Sequence, residues 1–378
     1  MLKSFINYLK KEIVFSISFV LALITTILVR PSLQNLNASI NYSVLIILFC
    51  LMIQISGLRS FKILDKIALF IVKKCSSVFA LFVSLVLLVF FSAMIITNDV
   101  ALLTFVPLTI IICKQLQISP VTLIVLETIG ANLGSTLTPM GNPQNLFLYS
   151  FYTYTPQDFF SATSGIVILS GIFLVGASYL ISKRFSFPQE LNLSVYNEKS
   201  QKNTSKTILL FCLLLVSLLT VFHILPIYLC LALTVLGIVI IDKKLFTMVD
   251  YTLLGTFICF FIFVGNISAL EEIVQVLKKI LQTPIQSFFV SLGISQIISN
   301  VPASLLIAPF TPFRNYILWG VNLGGLGTII ASLASLISYK LYLKEGENAS
   351  SGQFMKTFTL YNLLFLSILT LCILPFLF

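Results

Sequence analysis

Apolar residues fall in long blocks along this chain, at about 13–29, 42–58, 161–182, 207–223, 226–241, 251–270 and 357–377. About 20 apolar residues cross a bilayer as a helix, so each block predicts a spanning helix. Four further regions, 78–96, 100–113, 121–151 and 315–343, are apolar but interrupted by Asn, Asp, Gly and Pro. The two long polar segments are Lys183–Lys206 and Lys344–Lys356. Arg59 to Lys74 and Glu271 to Leu281 carry charges at helical spacing and predict amphipathic helices lying along the membrane surface. The pattern predicts an all-α polytopic membrane protein.

Composition sharpens this. Of 378 residues, 58% are apolar and 10% charged, against about 45–50% and 25% in soluble domains. A formal charge of +10 in a soluble chain would suggest nucleic acid as partner. Here topology accounts for it. With a cytoplasmic N-terminus and hairpins at 78–113 and 284–313, only Arg30, Lys278, Lys279 and Arg314 of the 23 Lys and Arg fall outside, and 19 fall inside. That orientation predicts a plasma-membrane protein with Met1–Glu12 and Lys183–Lys206 cytoplasmic and Phe378 external. Ile13 to Val29 reads as a retained first helix, because Arg30-Pro31 follows it where a signal peptide needs small residues. The seven cysteines stand singly and His223 is the one histidine, which argues against a disulfide framework or a zinc or haem site. No cofactor is expected apart from a coupling ion.

The interrupted regions repeat. Ile96-Thr97-Asn98-Asp99 aligns with Ile298-Ser299-Asn300-Val301 at an offset of 202, with Pro107 and Pro309 in register. Gly130-Ala131-Asn132-Leu133-Gly134 and Thr138 align with Gly320-Val321-Asn322-Leu323-Gly324 and Thr328 at an offset of 190. Two matches in the same order point to duplication. Under the topology above the copies are inverted. The expected fold is two inverted repeats with two re-entrant hairpins and two broken helices, about nine spans plus hairpins, the helix at 207–223 linking the halves. That is the signature of a secondary transporter with its site at mid-membrane.

Unwound backbone is tolerated in a membrane where it lines a polar cavity. The carbonyls ending a half-helix suit Na⁺, and the amides opening the next half suit an anion. Asn98 facing Asn132, and Asn300 facing Asn322, are therefore the expected Na⁺ sites. The plainer reading is that Thr97, Asn98, Asp99, Ser299 and Asn300 cap the hairpin helices, and that Gly134 and Gly324 are close-packing glycines. Asp99 and Glu127 are the two acids well inside apolar segments, which makes them coupling candidates. Val301 and Ile317 occupy the aligned positions in the second half. An intramembrane hydrolase would need a metal-ligand set or a nucleophile with a base, and no such pattern is present in the sequence, so no enzyme is expected.

The run Thr97-Asn98-Asp99-Val100-Ala101-Leu102, the block from Ala131 to Asn145 and Ser299-Asn300-Val301-Pro302 resemble the ion transporter superfamily. Within it the chain is most similar to citrate-transporter-like anion permeases, relatives of the divalent anion:sodium symporters and the arsenite efflux pumps. The resemblance implies a homodimer and elevator-type movement of a hairpin-bearing transport domain. It divides the chain into scaffold helices with a cytoplasmic surface helix (1–74), the first transport region (75–184), a cytoplasmic linker and connecting span (185–225), scaffold helices with an external surface helix (226–283) and the second transport region (284–378). In the divalent anion symporters a Ser-Asn-Thr triplet at each hairpin tip binds sodium and substrate carboxylate. Asn98 and Asn300 match it, Thr97 and Ser299 match in hydroxyl character, and Asp99 and Val301 depart from it. An Asn-Asp pair is closer to the arsenite pumps, whose substrate is uncharged. The expected substrate and cation ligands are Thr97, Asn98, Asp99, Asn132, Gly134, Thr138, Asn142, Ser299, Asn300, Asn322, Gly324 and Thr328. The expected partners are a small anionic or neutral solute, membrane lipid and a second copy of the chain, with no nucleic acid. A cation-coupled permease for a small anion, a di- or tricarboxylate, leads; arsenite efflux and Na⁺/H⁺ exchange are the alternatives.

Overall fold

The computed structural model describes residues 12–185, 204–345 and 349–377. The basic stretch before Glu12, most of the Lys183–Lys206 linker and Phe378 lie outside the described residues. Every regular element among the described residues is helical.

The N-terminal helices are α1 (Ile13–Val29), α2 (Leu33–Ser39), α3 (Tyr42–Ser60) and α4 (Ile63–Val72). α1 stops where Arg30 turns left-handed, φ 51°, immediately before Pro31, and α3 starts where the Asn41 side chain accepts the Val44 amide at 3.1 Å. α4 falls inside the predicted amphipathic stretch; α2 was not predicted. Then come α5 (Val78–Ile96), α6 (Asn98–Gln115), α7 (Val121–Gly134), α8 (Pro143–Phe151) and α9 (Pro156–Ser182). α8 and α9 open with proline behind a capping Asn142 or Thr155, a helix start that needs no amide from its first residue. α10 (Thr204–Val221) and α11 (Ile227–Ile241) lead to α12 (Tyr251–Ile267) and α13 (Glu271–Ile280). α13 turns 101° from α12, as suits a helix whose charges keep it out of an apolar layer. The chain ends with α14 (Pro284–Ile298), α15 (Asn300–Ile307), α16 (Arg314–Gly324), α17 (Leu333–Glu345) and α18 (Ser351–Ile373).

Six helices among the described residues, α3, α5, α6, α9, α10 and α18 with its terminal turn, are long and apolar enough to cross a membrane, or seven if α12 with α13 is one span. α1 and α11, with 17 and 15 residues, are shorter apolar helices. Large apolar side chains point outward on these helices, among them Ile168, Ile172 and Leu180 of α9, Leu236 and Ile240 of α11 and Leu360 and Leu371 of α18. On α9 the small polar residues Ser170 and Ser178 point inward: they are buried and return their hydroxyls to carbonyls four residues back. An apolar exterior with hydroxyls turned to the helix's own backbone is the arrangement lipid demands.

The helices pack in two groups. α1 lies along α12, and α3 packs with α10 and α11. In the other group α5 lies along α7, α14 along α16, α6 along α17 and α8 along α15, with α9 and α18 flanking. The groups touch where α3 meets α8 and where α12 meets α15.

Candidate functional site

The site is built where two helix hairpins meet two interrupted helices. α5 and α6 are joined by Thr97 alone, and α14 and α15 by Ser299 alone. Both take nearly the same conformation, φ 72° and ψ 149° against φ 77° and ψ 153°. A positive φ at a non-glycine residue is uncommon, so its recurrence at aligned positions shows that one tip geometry is used twice. At each tip the next residue gives its amide to a carbonyl inside a broken helix: Asn98 to Gly141 at 3.1 Å, Asn300 to Ala331 at 2.9 Å. Thr138 donates its hydroxyl to the Met94 carbonyl and Thr328 to that of Gln296. Every partner in these pairs obeys the offsets of 202 and 190 found in the sequence.

The first broken helix is α7, a short turn at Ser135–Leu137 and α8; the second is α16, an unwound stretch and α17. Their breaks interlock through asparagines. Asn132 accepts from Asn98 Nδ2 at 3.2 Å and from Ser332 Oγ at 2.9 Å, and donates to the Gly325 carbonyl at 3.3 Å. Asn322 accepts from Thr136 Oγ1 and Asn142 Nδ2, each at 3.2 Å, and donates to Asn145 Oδ1 at 2.7 Å. Each break is thus held by the other one. Asn98 and Asn132 are in direct contact. Asn322 is instead bonded to the first break, while Asn300 lies beside Gly325, where an added Cβ would stand 2.8 Å from Asn300 Nδ2. Gly134 packs against the hairpin backbone so closely that a Cβ would stand 2.1 Å from the Phe90 carbonyl oxygen; at Gly324 it would meet Ser295 at 2.7 Å. The Ser299 hydroxyl donates to the Ala331 carbonyl at 3.3 Å.

Beside the first tip is a cavity of about 180 Å³. Thr97, Asp99 and Asn142 line it with Arg59 of α3 and Asp250 at the start of α12, and the rest of its wall is largely apolar. Asp99 caps nothing: the Asp99 amide is taken by Asn98 Oδ1 at 2.9 Å, and Asp99 Oδ1 is buried without a hydrogen-bond partner. Glu127 sits apart, buried between α6 and α7. Thr109 donates to its Oε1, and Oε2 has no partner.

Sequence reasoning missed Thr136, Asn145, Ser332, Gln296, Gly325 and Ser335, whose hydroxyl accepts from Asn132 Nδ2 at 3.5 Å, as members of the network and Arg59 and Asp250 as members of the cavity. One signal was available: continuing the offset of 190 past Thr328 sets Asn142 over Ser332 and Asn145 over Ser335.

A family model described as Citrate transporter (CitMHS) matches residues 9–312. An uncharacterized transporter of Methanocaldococcus jannaschii is 34% identical over 313 residues, 82% of this chain and 82% of its own length. The inner membrane protein YbiR of Escherichia coli is 29% identical over 80% of this chain and 81% of its own. A Dictyostelium discoideum protein named arsB is 24% identical over 140 residues, 36% of this chain and 25% of its own.

Proposed function

We propose, because the chain belongs to the citrate transporter family, that it is a cation-coupled secondary transporter carrying a small anionic solute of the carboxylate class by alternating access. The observation that carries this reading is the doubled tip: two hairpins, each lending an asparagine amide to the break of an apolar helix, where half-helix ends offer carbonyls to a cation and amides to an anion. On this reading the two halves are inverted repeats with about nine spans plus hairpins, in the plasma membrane with the N-terminus cytoplasmic. The group formed by α5–α9 and α14–α18 moves, elevator-fashion, against a scaffold of α1, α3 and α10–α12, in a homodimer. Na⁺ or H⁺ couples through Asn98 with Asn132 and Asn300 with Asn322. Sodium fits the chemistry of these breaks, which present oxygen ligands and no thiolate or imidazole.

A second reading, efflux of uncharged arsenite or Na⁺/H⁺ exchange, is favoured by one observation. Asp99 stands at the cavity with a buried oxygen that no protein donor meets. Purified protein reconstituted in liposomes and offered labelled citrate, succinate, sulfate and arsenite under Na⁺ or H⁺ gradients tests both. Gradient-driven uptake of a carboxylate is the expected result; arsenite flux or cation exchange without it would replace the first reading by the second. Asp99→Asn separates them further. An anion carrier keeps binding its solute with an altered pH or Na⁺ dependence, whereas a cation or proton exchanger loses turnover, because Val301 leaves no second acid at the other tip.

A further inference from the structure

We infer that the cavity beside the first hairpin tip selects a bipolar solute, one that carries a single carboxylate and a hydrogen-bond donor on an apolar body. The inference rests on the reading of this cavity as the transport site.

Three ionisable side chains line the cavity, the carboxyls of Asp99 and Asp250 and the guanidinium of Arg59, so acidic groups outnumber the basic one. Arg59 is its one cation. Its Nη2 reaches the Leu103 carbonyl at 3.5 Å, and it forms no ion pair among the described residues. A guanidinium has five donors in a planar fork matched to one carboxylate, so most of that fork remains for a ligand. Asp250 is partly engaged, its Oδ1 accepting the Leu253 amide at 3.0 Å. Asp99 has an oxygen with no donor at all. A buried acceptor left without a partner is costly, and a solute hydroxyl or ammonium supplies what is missing. Leu51, Met52, Leu103, Met140 and Met248 also line the cavity and favour a hydrocarbon body. A tricarboxylate satisfies Arg59 once and then brings its remaining charges against two carboxylates and an apolar wall.

The test uses the full chain purified in detergent, with binding measured by titration calorimetry for L-leucine, lactate, succinate and citrate. L-leucine, with an ammonium donor, or lactate, with a hydroxyl, is expected to bind at least about tenfold more tightly than succinate or citrate. Arg59→Gln is expected to weaken that binding by about tenfold, the effect of losing one charge-assisted contact, with Arg59→Lys recovering part of it. Asp99→Asn is expected to weaken L-leucine more than lactate, since it turns a charged acceptor into a neutral one. Tighter binding of succinate or citrate that still depends on Arg59 overturns the bipolar class and leaves the cavity as the transport site. Binding of any of the four that Arg59→Gln and Asp99→Asn both leave unchanged, in protein that elutes as the wild type does, overturns the cavity itself. Absence of binding by all four overturns the inference.

Discussion

Single residues at the hairpins separate close packing from chemistry. Gly134 sits where α7 crosses the backbone of α5, and a methyl group there would stand 2.1 Å from the Phe90 carbonyl oxygen and 2.8 Å from its carbon. Backbone cannot yield as a side chain can, so Gly134→Ala must push two helices apart. Overpacking of a tight core costs about 1–3 kcal/mol, and thermal unfolding of the purified protein in detergent is expected to shift downward accordingly. Gly165 on α9 is the control, with nothing within 4 Å of an added Cβ. Gly165→Ala is expected to leave the midpoint unchanged or slightly raised, since alanine is the better helix residue. Equal midpoints for the two variants would mean that the α5–α7 crossing relaxes freely. Glu127 illustrates the other kind of residue: Thr109 meets one carboxyl oxygen and nothing meets the second, so its place in the core depends on a single donor.

At the scale of elements, the two tips and the two breaks form one polar knot. Asn98→Ala removes the Nδ2 that reaches Asn132 and the Oδ1 that accepts the Asp99 amide. Asn300→Ala removes the side chain beside Gly325. Each change is expected to weaken the apparent affinity for the coupling ion about fivefold to tenfold, in keeping with the loss of one ion ligand worth roughly 1 kcal/mol. Membrane insertion should persist, because the apolar helices are untouched. Cation dependence unchanged in the folded double variant would remove both asparagines from the coupling sites. The regions that carry this knot were legible as apolar runs interrupted by Asn, Gly and Pro, though where each helix breaks was not. The alignment of Asn98 with Asn300 and of Asn132 with Asn322 was legible too, because an asparagine inside an apolar run stands out. Ser332, Ser335 and Gln296 were not, since a serine in a membrane helix ordinarily returns its hydroxyl to its own backbone, as Ser170 and Ser178 do. Which break each asparagine joins was hidden as well: Asn322 turns to residues about 180 positions earlier, Thr136 and Asn142, and no local pattern encodes that crossing.

The whole molecule raises the matter of sidedness. The cavity at Asp99 is lined by Arg59 from the last turn of α3 and by Asp250 at the start of α12. A separate cavity of about 540 Å³, lined by Asn41, Tyr42, Phe151 and Ser268, lies toward the opposite ends of α3 and α12. The Arg59 end is the one that the distribution of bases assigns to the cytoplasm, because Lys62, Lys66, Lys73, Lys74, Lys243 and Lys244 cluster there in sequence. The opposite end includes the start of α9, where Arg314 pairs with Asp158 at 3.1 Å and stacks on Tyr154. If the charge distribution sets the orientation, a single cysteine introduced at Thr153 in a cysteine-free background should react with an impermeant maleimide added to intact cells. One introduced at Gln201 should react only after the membrane is opened. The reversed pattern would invert the orientation and make the Asp99 cavity outward-facing. Labelling at both positions from outside would remove the odd number of crossings between them and overturn the proposal that the two halves are inverted.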